Sequence, residues 1–190
     1  MEKVINKKVY LQEHKNNVTI DVPIQLSRNI LSPEKDDWMT DCLCNQYISG
    51  LKGTINQYDN SPLPQKYIKE QEFIVTVLPR IILGCFCYIN DKIYVDADEI
   101  SNIRRINASF LLGHEIGHKI SKYIDTKDLY NEISRLFYIP LSRKDILEET
   151  FADLVGFVVS NNGSFSYPID TDSRKKEYAK RKVLEGIYRI

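Results

Sequence analysis

The chain has 190 residues, 43% of them hydrophobic, and it carries 26 basic and 26 acidic residues. This length and composition predict one compact domain over residues 1–190, with an N-terminal region at 1–75 and a core at 76–190. The zero net charge excludes a general electrostatic attraction to nucleic acid or to anionic membranes, so any binding must come from a local site.

The N-terminus lacks the apolar stretch and small-residue cleavage site of a secretory signal. The longest apolar run, IILGCFCYI at 81–89, is too short to span a bilayer. We therefore expect a cytoplasmic protein with no membrane partner.

Cysteines two apart on a helix diverge by roughly 200°, which disfavours a four-thiolate zinc site. Buried reduced thiols are expected at all four cysteines: Cys42, Cys44, Cys85 and Cys87.

The first half of the chain contains strand and helix signals. VTIDVPIQL at 18–26 alternates apolar and polar residues, which predicts a strand, and Pro23 favours an edge or a bulge. A hairpin partner is expected before it, with a turn at residues 15–17. A helix is predicted from Pro33 to about Gly50. Further segments are a loop at 53–65 and a short antiparallel sheet with strands at 72–78, 81–89 and 92–96, the last two joined by Asn90-Asp91.

The second half of the chain is predicted to be helical from the spacing of its apolar residues. Ser142 and Asp145 come close to a capping box, so they favour a helix start at Ser142. Together with the strands, these helices indicate an α+β protein. Three helices are predicted. The first begins at about Asp98, the second runs from Ser142 to about Asn161, and the third runs from about Ser173 to Tyr188.

The first of these helices carries a His-Glu-x-x-His motif. His114 and His118 are four residues apart, which brings both imidazoles to one face, about 6 Å apart along the axis, where they can bind one zinc ion. Glu115 can act as general base toward a zinc-bound water. Because the chain has only three histidines, a chance occurrence has a probability on the order of a few per thousand. The alternative is a half-buried helix with two hydrogen-bonded histidines.

A catalytic zinc needs a third protein ligand. The remaining histidine, His14, belongs to the remote hairpin, so we expect a carboxylate. Glu149 and Asp153 are four apart on the next helix, so Glu149 can bind the metal while Asp153 accepts the N–H of a ligand histidine. Small residues on both helices predict a close approach between them: Gly113, Gly117, Ala152 and Gly156. Competing ligands are Glu148 and, more weakly, Asp96, Asp98 and Asp125.

This arrangement resembles the gluzincin zinc peptidases, which carry His-Glu-x-x-His on one helix and Glu-x-x-Ala-Asp on the next. The match falls at His114, Glu115, His118, Glu149, Ala152 and Asp153. Within that group, residues 82–118 are most similar to the ImmA/IrrE metallopeptidase family, at Gly84, Asn90-Asp91, Ile93-Tyr94-Val95 and Arg104-Arg105. The resemblance implies a zincin-like, thermolysin-type domain whose small antiparallel or mixed sheet packs on an active-site helix, beside a second ligand-bearing helix.

The resemblance also implies a zinc-dependent endopeptidase that cuts a protein or peptide, such as a transcriptional repressor. The strand at 92–96 is a candidate edge for an extended substrate. A second similar family is the lethal factor and Pro-Pro endopeptidase type of toxin-like metalloprotease, which has a tyrosine where this chain has Ser142. That departure leaves the oxyanion partner unassigned, with candidates at Tyr123, Tyr130, Tyr138 and Tyr167.

Two other classes remain open. A catalytically inactive metal-binding sensor would keep the zinc but would not need Glu115. A nucleic-acid-binding module would depend on RKKEYAKRK at 174–182, for which a solvated helix surface is the simpler interpretation in a neutral chain. Nucleic acid is therefore not an expected partner, and the sequence does not indicate an oligomeric state.

Overall fold

The protein has an α+β fold, and the computed structural model describes residues 4–13, 15–23, 33–76, 86–97, 100, 108–160, 163–167 and 172–189. No helix in these ranges is long and apolar enough to cross a membrane. The described strands are β1 (Val4–Leu11), β2 (Asn16–Pro23), β3 (Glu72–Thr76), β4 (Phe86–Ile89) and β5 (Lys92–Asp96). The described α-helices are α1 (Pro33–Asp59), α2 (Ala108–Ser121), α3 (Lys127–Phe137), α4 (Lys144–Val159) and α5 (Ser173–Tyr188).

The chain divides into two compact units, the first made of Met1–Ile55 with Ile68–Ala108 and the second of Asn56–Tyr67 with Ser109–Ile190. The organisation as a single domain stays a prediction. The first unit contains the sheet, and the second contains the His-Glu-x-x-His helix. The first unit buries alternate side chains of its inner strands, which are almost fully inaccessible to solvent: Val18, Ile20, Phe73, Val75, Ile93 and Val95.

The sheet has five strands in the order β1-β2-β3-β5-β4. The β1/β2 and β5/β4 pairs are antiparallel, whereas the β2/β3 and β3/β5 pairs are parallel. The sheet is therefore mixed, which is one of the two forms expected for it. The expectation that the strands at 72–96 form an antiparallel sheet is wrong, because β3 and β5 are parallel. Parallel neighbours require a crossover connection, and α1 lies in the chain between β2 and β3. The strand at 92–96 pairs on both sides, so it is not an edge.

Both predicted hairpins are present. β1 and β2 pair across a turn in which Lys15 has a positive φ of 55°. β4 and β5 are joined by Asn90 and Asp91, with φ values of 50° and 62°, as in two-residue hairpin turns of type I′. Residues 81–85 of the predicted strand lie outside the described residues.

Pro23 does not mark an edge strand, because β2 lies between β1 and β3. It is the last residue of β2, and the pairing of β2 with β3 covers only residues 17–21. Its missing N–H therefore removes no bond from the β2/β3 ladder.

Helix α1 is longer than predicted. It continues past Gly50 into the segment at 53–65, where a loop was expected, and ends at Asp59. The apolar residues Leu51, Ile55 and Tyr58 follow one another at helical spacing, and all three are fully buried. Burial of this stripe outweighs the weak helix propensity of the glycine and asparagine residues between them.

The helices of the second unit agree with the prediction in part. Helix α5 has the predicted bounds, and Asp172 caps it by accepting the N–H of Lys175 at 2.8 Å. Helix α4 begins after Arg143 without a side-chain cap bond, so the predicted capping by Ser142 is wrong. Asp145 instead pairs with the Arg143 guanidinium, at 2.8 and 3.1 Å. The predicted start of α2 at Asp98 lies outside the described residues.

Helix α3 was not predicted, although its sequence carries a helical signal. Leu129, Ile133 and Phe137 repeat every four residues, and all three are buried. The helix ends at Phe137, and the next residue, Tyr138, adopts the left-handed conformation with φ 58°.

Helices α2 and α4 approach each other through small residues, as predicted. A Cβ added to Gly117 would lie 2.7 Å from the Cα of Ala152, and one added to Gly113 would lie 2.9 Å from the Cα of Gly156. These obstacles are backbone atoms, which cannot rotate away. The two glycines therefore set how closely the helix axes approach.

We expect Gly117→Ala to destabilise the metal-free protein by about 1–3 kcal/mol, because the added methyl group overpacks the contact with Ala152. The matched control is Gly53→Ala in α1, since no atom lies within 4 Å of its added Cβ. That change should stabilise the protein by about 0.5–1 kcal/mol, because alanine has the higher helix propensity. Urea denaturation in the presence of a chelator measures both changes. Equal stability of the two variants would contradict the close helix contact.

Candidate metal centre

The second unit brings three predicted metal ligands together. The Nε2 atoms of His114 and His118, on α2, are 3.0 Å apart. The carboxylate of Glu149, on α4, places Oε2 at 3.4 Å from His114 Nε2 and Oε1 at 3.6 Å from His118 Nε2. One ligand atom from each of these three residues lies within 4.8 Å of the other two. Within the described part of the chain, no other set of three potential metal ligands comes together in this way.

The separations fit one divalent ion. Zinc binds imidazole nitrogen and carboxylate oxygen at about 2.0–2.2 Å in tetrahedral geometry, which places neighbouring ligand atoms roughly 3.3–3.5 Å apart. The three observed distances lie around this value. The Glu149 side chain is 35% exposed and the His118 side chain 19% exposed. Solvent therefore reaches the side chains of the cluster.

Asp153 holds the first histidine, as predicted. His114 Nδ1–H donates to Asp153 Oδ1 at 2.9 Å, and the aspartate is only 1% exposed. This bond fixes the ring orientation and leaves Nε2 toward the cluster. A further partner of Asp153 was not predicted: the backbone N–H and the hydroxyl of Ser166 donate to its two oxygens at 2.6 and 2.9 Å. Ser166 lies 13 residues further along the chain, and no motif marks it.

The competing carboxylates that the structure describes, Glu148, Asp125 and Asp96, do not join the cluster. Glu148 Oε1 lies 3.6 Å from His118 Nδ1, on the other side of the ring from the ligand nitrogen. Asp125 accepts the backbone N–H of Lys127 at 3.0 Å, and Asp96 belongs to the first unit. His14 and Asp98 lie outside the described residues. Among the described carboxylates, the structure thus favours Glu149 as the third ligand.

Glu115 occupies the position next to His114 on α2 and is partly exposed. Its charge is close enough to contribute to the raised pKa of His114. The carboxylate therefore lies in the electrostatic environment of the cluster, where a general base is required.

In the metal-free protein, hydrogen bonds and nearby charges change the pKa values of His114, His118 and Glu149. Burial lowers the pKa of His114, but its bonds to Asp153 and Glu149 and the charges of nearby acids outweigh burial and raise that pKa to about 10. Burial and the charge on His114 lower the pKa of His118. The bond from His114 lowers the pKa of Glu149. A metal ion must therefore displace the proton of His114.

We expect zinc binding at about pH 8 to release about one proton, because His114 is still protonated there whereas an ordinary histidine, with a pKa of about 6.5, is not. Below the pKa of about 10, the apparent zinc affinity should rise about tenfold per pH unit. Calorimetry in two buffers of different ionisation enthalpy measures this proton. In Asp153→Asn the release should fall, and no release from the wild type would contradict the raised pKa.

The same proton affects stability without metal. The folded-state pKa of His114, about 10, lies above its unfolded value, so the contribution is complete below about pH 6.5 and is lost as the pH rises toward 10.

Glu149→Ala should weaken zinc binding by more than the roughly 10–100-fold typical of groups that contact only a ligand. Its neighbour Glu148 provides the matched control, because its carboxylate faces His118 Nδ1 and not the cluster. Glu148 contacts only a ligand, so Glu148→Ala should weaken zinc binding by no more than about 10–100-fold. Competition with a chromophoric chelator measures both affinities. A larger loss in the Glu148 variant would reverse the ligand assignment.

The cysteines agree with part of the prediction. Cys42 and Cys44 both lie on α1, where they diverge, and neither is in a disulfide. Cys44 is buried, but Cys42 is exposed, so the expectation of a buried thiol is wrong there. Cys87 is half-buried, and Cys85 lies outside the described residues.

The tyrosine candidates remain unassigned as oxyanion partners. Tyr138 is 83% exposed, and Lys175 lies over its ring at 5.0 Å. Tyr123 is also exposed, and Tyr167 is partly buried. Tyr130 packs against Phe151, and burial raises the pKa of its hydroxyl.

The basic residues of α5 make contacts within the chain. Lys176 lies over the Phe157 ring at 4.4 Å, and Lys180 pairs with Glu177. Lys182 pairs with Glu185 at 2.8 Å. These contacts use charges that a phosphate backbone would need. The expectation that nucleic acid is not a partner stays a prediction.

The comparisons with protein-family models, with curated proteins and with solved structures find no match to this chain. The assignment of function therefore depends on the geometry of the cluster and on the motif resemblance.

Proposed function

We propose that the chain is a zinc-dependent endopeptidase of the gluzincin type, with a zincin-like fold. The observation that carries the proposal is the convergence of His114, His118 and Glu149 from two closely packed helices, with Glu115 beside the first histidine. Two imidazoles and a carboxylate are a ligand set of catalytic zinc sites, and three protein ligands leave one position for chemistry. Zinc held there would supply Lewis acidity toward the scissile carbonyl and the attacking water.

The roles of the side chains follow from their positions. His114, His118 and Glu149 would hold the metal, and Asp153 orients His114 through the Nδ1–H bond. Glu115 accepts a proton from the attacking water and delivers it to the leaving amine, which departs as a neutral group. A carboxylate suits this transfer because it can hold the proton between the two events.

The proposed substrate is a protein or a peptide. The cluster is open to solvent at Glu149 and His118, so a chain segment can reach it from outside. A regulatory role, with cleavage of a transcriptional repressor, is the form of this function suggested by the resemblance to the ImmA/IrrE family.

Glu115→Gln should keep zinc affinity within a few-fold while reducing proteolysis by about 10²–10⁴-fold, because the amide cannot accept the proton. His118→Ala should lose both zinc and proteolysis. Glu177→Gln, the same chemical change at an exposed position of α5, controls for the substitution itself. The measurements are the zinc content of purified protein and cleavage of a denatured protein substrate. Zinc binding with equal cleavage by the wild type and Glu115→Gln would exclude the proposed base, and zinc binding without any cleavage would favour a metal sensor.

A further inference from the structure

The segment after α4 returns to the candidate metal centre at Ser166. The backbone N–H of Ser166 donates to Asp153 Oδ2 at 2.6 Å, and its hydroxyl donates to Asp153 Oδ1 at 2.9 Å. Oδ1 also accepts the Nδ1–H of His114 at 2.9 Å. Three donors thus bind one carboxylate, and two of them belong to a single serine.

Asp153 needs these donors because it is 1% exposed. A buried carboxylate that lacks hydrogen bonds is strongly unfavourable, because burial removes its hydration and nothing replaces it. His114 supplies only one of the three bonds. Ser166 supplies the other two, so it determines which way the plane of the carboxylate faces.

The segment that carries Ser166 is held in place by aromatic packing. The Phe165 ring lies 5.1 Å from that of Phe157 and 5.6 Å from that of Phe137. Gly163 lies so close to Phe110 that an added Cβ would be 2.2 Å from its ring. The position of Ser166 is therefore fixed by the packing of residues that precede it in the chain, and it does not depend on Asp153 alone.

We propose that Ser166 is a positioning residue of the metal centre, acting on His114 through Asp153. The inference rests on the proposed metal site but adds a residue that touches neither metal nor substrate. Its hydroxyl holds the Asp153 carboxylate in the orientation that receives the Nδ1–H of His114, and the imidazole then directs Nε2 toward His118 and Glu149. Loss of the hydroxyl removes one of the two donors to Oδ1, whereas the backbone N–H bond to Oδ2 remains. The oxygen that receives His114 is then held less tightly, which reduces the fraction of molecules with correctly directed ligands.

The test is a double-mutant cycle between Ser166→Ala and Asp153→Asn, with zinc affinity as the readout. Ser166→Ala should weaken zinc binding about tenfold in the wild-type background and by less than about twofold in Asp153→Asn, because the serine acts through the aspartate. Ser166→Thr keeps the hydroxyl and should stay within about threefold of the wild type. Ser164→Ala, at an exposed serine of the same segment, should leave the affinity unchanged.

Two further measurements separate positioning from general destabilisation. The absorption spectrum of bound Co²⁺ should change in Ser166→Ala, since the ligand geometry differs, while the melting temperature of the metal-free variant reports the structural cost alone. A lower melting temperature with zinc affinity within about twofold of the wild type overturns the inference. Equal losses in both backgrounds of the cycle also overturn it. If the wild type and His118→Ala bind zinc equally weakly, the metal centre itself fails, and the proposed function fails with it.

Discussion

The close contact between α2 and α4 is the constraint from which the candidate site follows. Gly113 and Gly117 face Gly156 and Ala152 with no room for a Cβ, so the two backbones lie nearer than larger side chains would permit. At that separation a glutamate on one helix reaches two imidazoles on the other. The packing of small residues and the convergence of the ligands are therefore one structural property.

The charges around the two histidines reinforce this geometry. Four acids, Glu115, Glu148, Glu149 and Asp153, lie close enough to influence one or both imidazoles, and in the metal-free protein a proton on His114 neutralises part of that charge. A divalent cation would neutralise more of it. The cluster is thus electrostatically suited to a cation at the point where the lone pairs of the imidazoles and the carboxylate converge.

The sequence predicts best what depends on short spacing. The four-residue separations within each helix place His114 beside His118 and Glu149 beside Asp153, and the glycines indicate the helix contact. The alternation of apolar and polar residues in a strand does not encode which strands pair with it. The parallel pairing of β2 with β3 is therefore not predicted by the sequence. The predicted end of α1 is wrong because burial of the stripe of Leu51, Ile55 and Tyr58 outweighs the turn-forming residues that follow Gly50. Ser166 could not be found, since its bond to Asp153 depends on how a loop returns to a helix.

The close packing at Gly117 has a consequence for redesign of the site. The helix backbones are held by contacts between small residues that do not bind metal, so their spacing is independent of which ligand stands at position 149. Replacing that glutamate by a softer or harder donor would therefore alter the preference among divalent ions on an unchanged scaffold. Architecture and the selectivity of a bound ion would then depend on different residues of the same two helices, and an engineer could vary one while keeping the other.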